Sequence, residues 1–157
     1  MSKTLVAYFS AIGVTARLAE KVAAAVGGDL HEIKPAEPYT AADLNWNDKQ
    51  SRTTIEMNDK ASRPAVANKV ANMDEYDTIY VGFPIWWYVA PTIINTFLEQ
   101  YSLAGKRIIP FATSGGSGMG STNEGLEISC KGAQLLESRR FDANATEADI
   151  KAWAAGF

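Results

Sequence analysis

Thr4-Leu5-Val6-Ala7-Tyr8-Phe9-Ser10-Ala11-Ile12-Gly13-Val14-Thr15 decides the fold, because a short apolar run stops at small hydroxylated residues and a glycine just before a helical pattern begins. Leu5 to Phe9 has the unbroken apolar character of a strand buried on both faces of a parallel sheet. The carboxyl end of such a strand lies at a ligand-binding edge. Ser10 and Thr15 offer hydroxyls there, and Gly13 lets the backbone approach an anion closely. The helical run from Ala16 to Ala25 opens with unpaired N–H groups at the positive end of its dipole. No lysine lies within the loop, so a nucleoside-triphosphate P-loop, which needs Gly-Lys-Ser/Thr, is excluded. What remains is a terminal phosphate held mainly by neutral donors. Taken alone, the same residues also describe a strand-to-helix turn with a hydroxyl cap, so the reading depends on what accompanies it.

Working outward, two more apolar runs end the same way. Thr78 to Phe83 reads as a buried strand followed by Pro84-Ile85-Trp86-Trp87-Tyr88. Lys106 to Ala112 reads as another, with an irregularity expected at Pro110, and is followed by the glycine-rich Thr113-Ser114-Gly115-Gly116-Ser117-Gly118. Leu30 to Lys34 alternates as a half-buried or edge strand, and Ala133 to Leu136 supplies a short last strand. Helical patterns lie between them. One is opened by Pro91 and runs through Ile93, Ile94, Phe97 and Leu98, one runs through Leu126 and Ile128, and one is a terminal helix begun by a capping box at Thr146 and Asp149. A short helix is expected over Val66 to Met73. The polar stretch from Ala36 to Arg63, with Trp46 and Met57 as isolated apolar anchors, is long for a connection in a compact domain and reads as a covering excursion or a loop. Strands alternating with helices predict an α/β fold with a parallel sheet wrapped on both faces.

The 157 residues fit one domain, and no shift of composition divides them. A formal charge of −3 with scattered cations gives no footprint for nucleic acid. The lone Cys130 makes no internal disulfide, no apolar run reaches membrane-spanning length, and the chain passes directly into its first strand, so a cytoplasmic protein is expected. Cys130 reads as a small buried hydrophobe and the single histidine, His31, as a surface or packing residue. No metal cluster is evident. Gly116 and Gly118 suggest a dinucleotide fingerprint, but Gly120 falls one residue early and the other two loops would go unexplained.

Three loops opening on one sheet edge suit a ligand with an anionic tail and a flat, polar-edged ring. In these loops the chain resembles the flavodoxins, specifically flavodoxin-like proteins carrying Tyr-Phe-Ser-x-Thr-Gly-Asn-Thr, Gly-x-Pro-Ile-Trp-Trp and Thr-Ser-Gly-Gly-Ser in that order. The resemblance covers essentially the whole chain. It implies a three-layer flavodoxin-like fold, a five-stranded parallel sheet in the order 2-1-3-4-5 with helices on both faces, and FMN as cofactor. By resemblance, Ser10, Ala11, Ile12, Gly13, Val14 and Thr15 hold the FMN phosphate. Pro84, Ile85, Trp86 and Trp87 flank the isoalloxazine, and Thr113, Ser114, Gly115 and Gly116 meet its polar edge. Ile12 and Val14 stand where the family places a hydroxyl residue and asparagine, which leaves backbone N–H groups as the donors there.

Two activities follow from the resemblance, and the residues leave both open. One is electron transfer between redox partner proteins. The other is an FMN-dependent oxidoreductase that takes hydride from NAD(P)H and reduces quinones or other small acceptors. A flavodoxin fold that has lost its flavin and serves as a binding module is the third reading. One-electron carriers of the family rely on a flexible peptide beside the ring, often at glycine. Pro84 to Tyr88 contains none, and turning a bulky residue to positive φ costs about 1–2 kcal/mol.

Overall fold

The computed structural model describes residues 3–11, 13–45, 47–86, 89–113, 119–120, 122–142 and 144–157. Strands β1 (Lys3–Tyr8), β2 (Asp29–Glu32), β3 (Tyr76–Pro84) and β4 (Arg107–Thr113) form a parallel sheet in the order β2-β1-β3-β4. Two short segments, β5 (Gln134–Leu135) and β6 (Arg139–Phe141), share the outer side of β4 as consecutive pieces of the fifth position. The helices are α1 (Val14–Val26), α2 (Arg52–Asn58), α3 (Thr92–Glu99), α4 (Thr122–Glu127) and α5 (Glu147–Ala154). The sheet order is the one expected, and the architecture is three-layered.

Alternation along the strands makes the layers. Leu5, Ala7, Ile79, Val81, Phe83, Ile108 and Ala112 face one side, where Ile93, Ile94, Phe97 and Leu98 of α3 cover them. Val6, Tyr80, Ile109 and Phe111 face the other and pack with Leu18, Ala19 and Val22 of α1 and Ile150 of α5. Both faces are therefore removed from water, which is why these strands read as continuous apolar runs.

Pro110 explains why the fifth position is broken. The register between β3 and β4 runs without interruption from Thr78 opposite Arg107 to Pro84 opposite Thr113. The carbonyls of Lys106 and Ile108 accept from Gln134 and Leu136, so even-numbered residues of β4 point their backbone groups at the outer edge. Pro110 lacks the N–H that would continue this ladder, and pairing there passes from β5, opposite residues 107 and 108, to β6, opposite 111 to 113. The irregularity lies on the outer side alone; β5 falls within the last strand expected at Ala133 to Leu136, and β6 is a further piece beyond it.

One expectation is corrected. Val66 to Met73 is not a helix: Val66 forms an antiparallel bridge with Pro35, and Ala67 and Ala36 donate to Lys34 and Ala65 at 2.7 and 2.8 Å. Asn68 adds side-chain bonds to Glu32 and Lys34. The segment is held extended because the chain leaving β2 offers it backbone partners, and only Met73–Glu75 makes a 3-10 turn. The excursion from 36 to 63 contains α2, capped by Ser51, whose Oγ accepts from the Thr54 N–H. Its buried face is threonine (Thr53, Thr54), so no aliphatic stripe announced it.

His31 packs, as one of its two readings had it: its ring stacks on Phe97 at 6.0 Å and its Nε2 is buried without a partner among the described residues. Burial, with help from Lys34 and against Glu32, holds its pKa below the ordinary value of 6.5. The fold thus favours neutral imidazole. Its contribution to stability is complete above pH about 6.5 and declines as pH falls below that toward the lowered folded value. Urea unfolding of His31→Gln against the parent chain at pH 7.5 and 5.5 is expected to show a smaller acid loss in the variant.

Candidate functional site

The carboxyl ends of β1, β3 and β4 lie side by side, and the first residues beyond them are knitted together by hydrogen bonds. The Phe9 N–H donates to Gly82 O at 2.9 Å and the Ile85 N–H to Thr113 O at 2.9 Å. The hydroxyls of Thr15 and Thr113 meet at 2.8 Å, both buried, and tie the start of α1 to the end of β4. Ser10 Oγ accepts from the Gly13 N–H at 3.0 Å, which fixes the turn into the helix. The structure therefore brings Ser10, Gly13, Thr15, Ile85 and Thr113 together, with Ala11 packed on the core beside them and Pro84 in register with Thr113. Ile12, Trp87, Ser114, Gly115 and Gly116 lie outside the described residues.

Gly13 is the N-cap of α1, at φ 94° and ψ −13°, and no side chain caps the helix. The first intrahelical bond runs from the Arg17 N–H to Gly13 O at 3.2 Å. The N–H groups of Val14, Thr15 and Ala16 consequently have no partner among the described residues. Unpaired donors at the positive end of a 13-residue helix are the kind of group that favours an anion. A Cβ on Gly13 would meet nothing within 4 Å.

Trp86 packs against two other aromatic rings. Its ring meets Phe9 at 5.6 Å and Tyr39 at 5.5 Å, edge-on in both cases, and its backbone pairs twice with Val89, at 3.0 and 3.1 Å. Tyr39 comes from the 36–63 excursion and was not singled out by sequence reasoning. The only signal it carried was that of an aromatic residue in a polar stretch. Its phenol donates to Glu56 Oε1 at 2.5 Å, Arg52 lies 3.9 Å above its ring, and Arg52 Nε binds Glu56 Oε2 at 2.9 Å. Burial and then the bond to Glu56 push the Tyr39 pKa far up, so it stays a neutral donor. The excursion thus covers the site and buttresses Trp86. Met57 is half-buried within it, while Trp46 lies outside the described residues.

Beside the Pro84 loop, a cavity of about 640 Å³ opens between Met57 and Lys60, the start of α3, and α4. No cluster of His, Cys, Asp or Glu among the described residues is placed to hold a metal. Cys130 is buried and its thiol is pushed up to about 11 by desolvation, which fits a packing residue.

The Thr15–Thr113 pair gives a testable expectation. Thr15→Val or Thr113→Val alone strands a buried hydroxyl and costs about 1–3 kcal/mol, whereas the double variant is close to neutral. Urea unfolding in a double-mutant cycle measures the difference.

The sequence model of the Flavodoxin family matches residues 3–156. The chain belongs to the flavodoxin family. Among solved structures, the chain is similar to a provisionally named flavoprotein from Bacteroides eggerthii DSM 20697, with 52% identity, TM-score 0.93, and 99% of this chain and 98% of that one covered. One from Bacteroides uniformis ATCC 8492 has 51% identity and TM-score 0.93, covering 98% of each chain. A flavoprotein from Lactobacillus acidophilus NCFM, solved in complex with FMN, shares the fold at 23% identity and TM-score 0.74, covering 98% of this chain and 99% of that one. No curated protein matches the chain. No helix among the described residues is long and apolar enough to cross a membrane.

Proposed function

We propose that the chain is an FMN-binding redox protein, with the cofactor phosphate seated on the loop from Ser10 to Thr15. The observation that carries this reading is the uncapped start of α1: three N–H donors with no partner among the described residues, beside a glycine in the left-handed region, in a member of the flavodoxin family. These donors fit a phosphate and compensate for the side-chain donors missing at Ile12 and Val14. Ser10 holds Gly13 in its left-handed conformation, and Thr15 contributes a hydroxyl already oriented by Thr113. Pro84, Ile85 and Trp87 would flank the ring, and Thr113 to Gly116 would meet its polar edge. Trp86, wedged between Phe9 and Tyr39, would support this wall rather than stack on the ring. When bound, FMN supplies the capacity to accept and release electrons, and the protein supplies placement and electrostatics.

Electron transfer to redox partner proteins is the activity we infer first. The second reading, an NAD(P)H-dependent oxidoreductase acting on small acceptors, is favoured by the glycine-free Pro84 loop and by the cavity beside it. A potentiometric titration together with stopped-flow mixing with NADH and NADPH separates the two. A carrier shows two well-separated one-electron potentials and slow oxidation of either nicotinamide. An enzyme shows close or crossed potentials and rapid oxidation of one of them. Failure of the chain to retain flavin at all would leave the binding-module reading.

Trp86 and Trp87 should differ when replaced. Trp87→Ala is expected to weaken FMN binding by about tenfold and to relieve fluorescence quenching, in keeping with a stacking contact of about 1 kcal/mol beyond area burial. Trp86→Ala is expected to act chiefly on stability, through the loss of its contacts with Phe9 and Tyr39. Equal and negligible effects on fluorescence and affinity would remove the ring assignment.

A further inference from the structure

The hydroxyls of Thr15 and Thr113 carry two protons between them, and their contact at 2.8 Å uses one. Thr15 is 2% exposed and Thr113 5%, and neither hydroxyl has another partner among the described residues. The second proton is therefore left without a protein acceptor, in a place where an unmade hydrogen bond is costly. If Thr15 donates, the spare proton sits on Thr113. If Thr113 donates, it sits on Thr15, beside the unpaired N–H groups at the start of α1.

The direction of the Thr113 side chain bears on the choice. Side chains alternate along β4: Ile109 and Phe111 pack on the face covered by α1 and α5, and Ala112 packs on the other, so Thr113 faces α1. What Thr113 gives to the Pro84 loop is its carbonyl, which accepts from the Ile85 N–H at 2.9 Å. Its hydroxyl thus lies on the phosphate side of the site, while its backbone serves the ring side. Thr15 also needs a partner to aim it. A threonine inside a helix can turn its hydroxyl back to the carbonyl four residues earlier, as Thr96 of α3 does to Thr92 O at 3.4 Å. Thr15 makes no such bond among the described residues, and its oxygen is turned to Thr113 instead.

We propose that Thr113 is a positioning residue for the cofactor phosphate: its hydroxyl donates to Thr15 Oγ1, which leaves the Thr15 proton for the phosphate. The proposal rests on the phosphate reading given above. A hydrogen bond to a charged acceptor is stronger than one to a neutral acceptor, so a phosphate at the start of α1 selects this arrangement of the two protons. Thr113 Oγ1 then has no proton left for a ring carbonyl.

Calorimetric titration of flavin-free chains with FMN and with riboflavin tests this, using the parent, Thr113→Val, Thr113→Ser, Thr15→Val and the double valine variant. The readout is the ratio of the two affinities, which a general loosening of the site moves little because both ligands share the ring. Thr113→Val is expected to lower the preference for FMN by about five- to tenfold, the scale of one hydrogen bond, with riboflavin affinity unchanged. Thr113→Ser keeps the hydroxyl and is expected to restore the preference. In the Thr15→Val background, Thr113→Val is expected to change the ratio no further, since Thr113 acts through Thr15 alone. This second comparison decides the matter if Thr113→Val by itself is too unstable to titrate. An unchanged ratio in Thr113→Val, a Thr113→Ser chain that behaves like Thr113→Val, or a further drop in the Thr15→Val background would each overturn the proposal. A parent chain that binds FMN and riboflavin equally would overturn the phosphate reading and this proposal with it, so the two failures are read in different chains.

Discussion

Replacing Gly13 with aspartate is expected to lower FMN affinity by at least about 100-fold, while the chain stays folded. A carboxylate at this N-cap position would stand next to the unpaired N–H groups of Val14, Thr15 and Ala16, where the phosphate is proposed to sit. Two like charges about 4 Å apart repel by about 4 kcal/mol at an effective dielectric constant near 20, whereas 100-fold corresponds to about 2.7 kcal/mol. Space does not confound the result, since a Cβ at Gly13 meets nothing within 4 Å. Backbone strain does, because φ is 94°, and Gly13→Asn is the control. Asparagine has nearly the same shape, tolerates the left-handed region and carries no charge. It should retain FMN within about tenfold of the parent, on the scale of one strained residue. Equal losses for Asp and Asn would attribute the effect to conformation and detach the phosphate from this loop.

The largest effect on stability is expected from Gly82→Ala, at about 3 kcal/mol or more. Gly82 lies opposite Phe111 in the register of β3 and β4, and the aromatic ring fills the place of the missing side chain. A Cβ there would sit 2.3 Å from Phe111 Cζ and 2.4 Å from Cε2. The ring cannot swing away, since Phe111 is fully buried and packed with Tyr80, Ile109 and Phe141. Phe111→Leu should relieve part of the clash, so the double variant is expected to lose less than the two single losses added together. Strict additivity in urea unfolding would show that the contact is not the cause.

The central sheet was legible because burial on both faces leaves apolar runs that need no period to be recognised, as in Leu5 to Phe9 and Thr78 to Phe83. The capping box at Thr146 was legible because its chemistry is local, and both of its bonds form, at 3.1 and 3.2 Å. Val66 to Met73 misled because its conformation is set by partners more than thirty residues away, Pro35 and Lys34, which leave no local pattern. The same holds for α2, with its threonine face, and for β6, whose separation from β5 follows from a proline on the neighbouring strand. At the candidate site, the loop positions could be read from where strands end. Tyr39 could not, because its contact with Trp86 joins an excursion and a loop that share no periodicity.

Isothermal titration of the flavin-free chain with FMN and with riboflavin tests the central claim most directly. Riboflavin keeps the ring and lacks the phosphate, so the difference isolates what the start of α1 contributes. Two charge-assisted hydrogen bonds at about 1.5–3 kcal/mol each set the expected scale. The account predicts one FMN per chain and an affinity for riboflavin lower by more than about 100-fold. Equal affinities for the two, or no saturable binding of FMN, would contradict it.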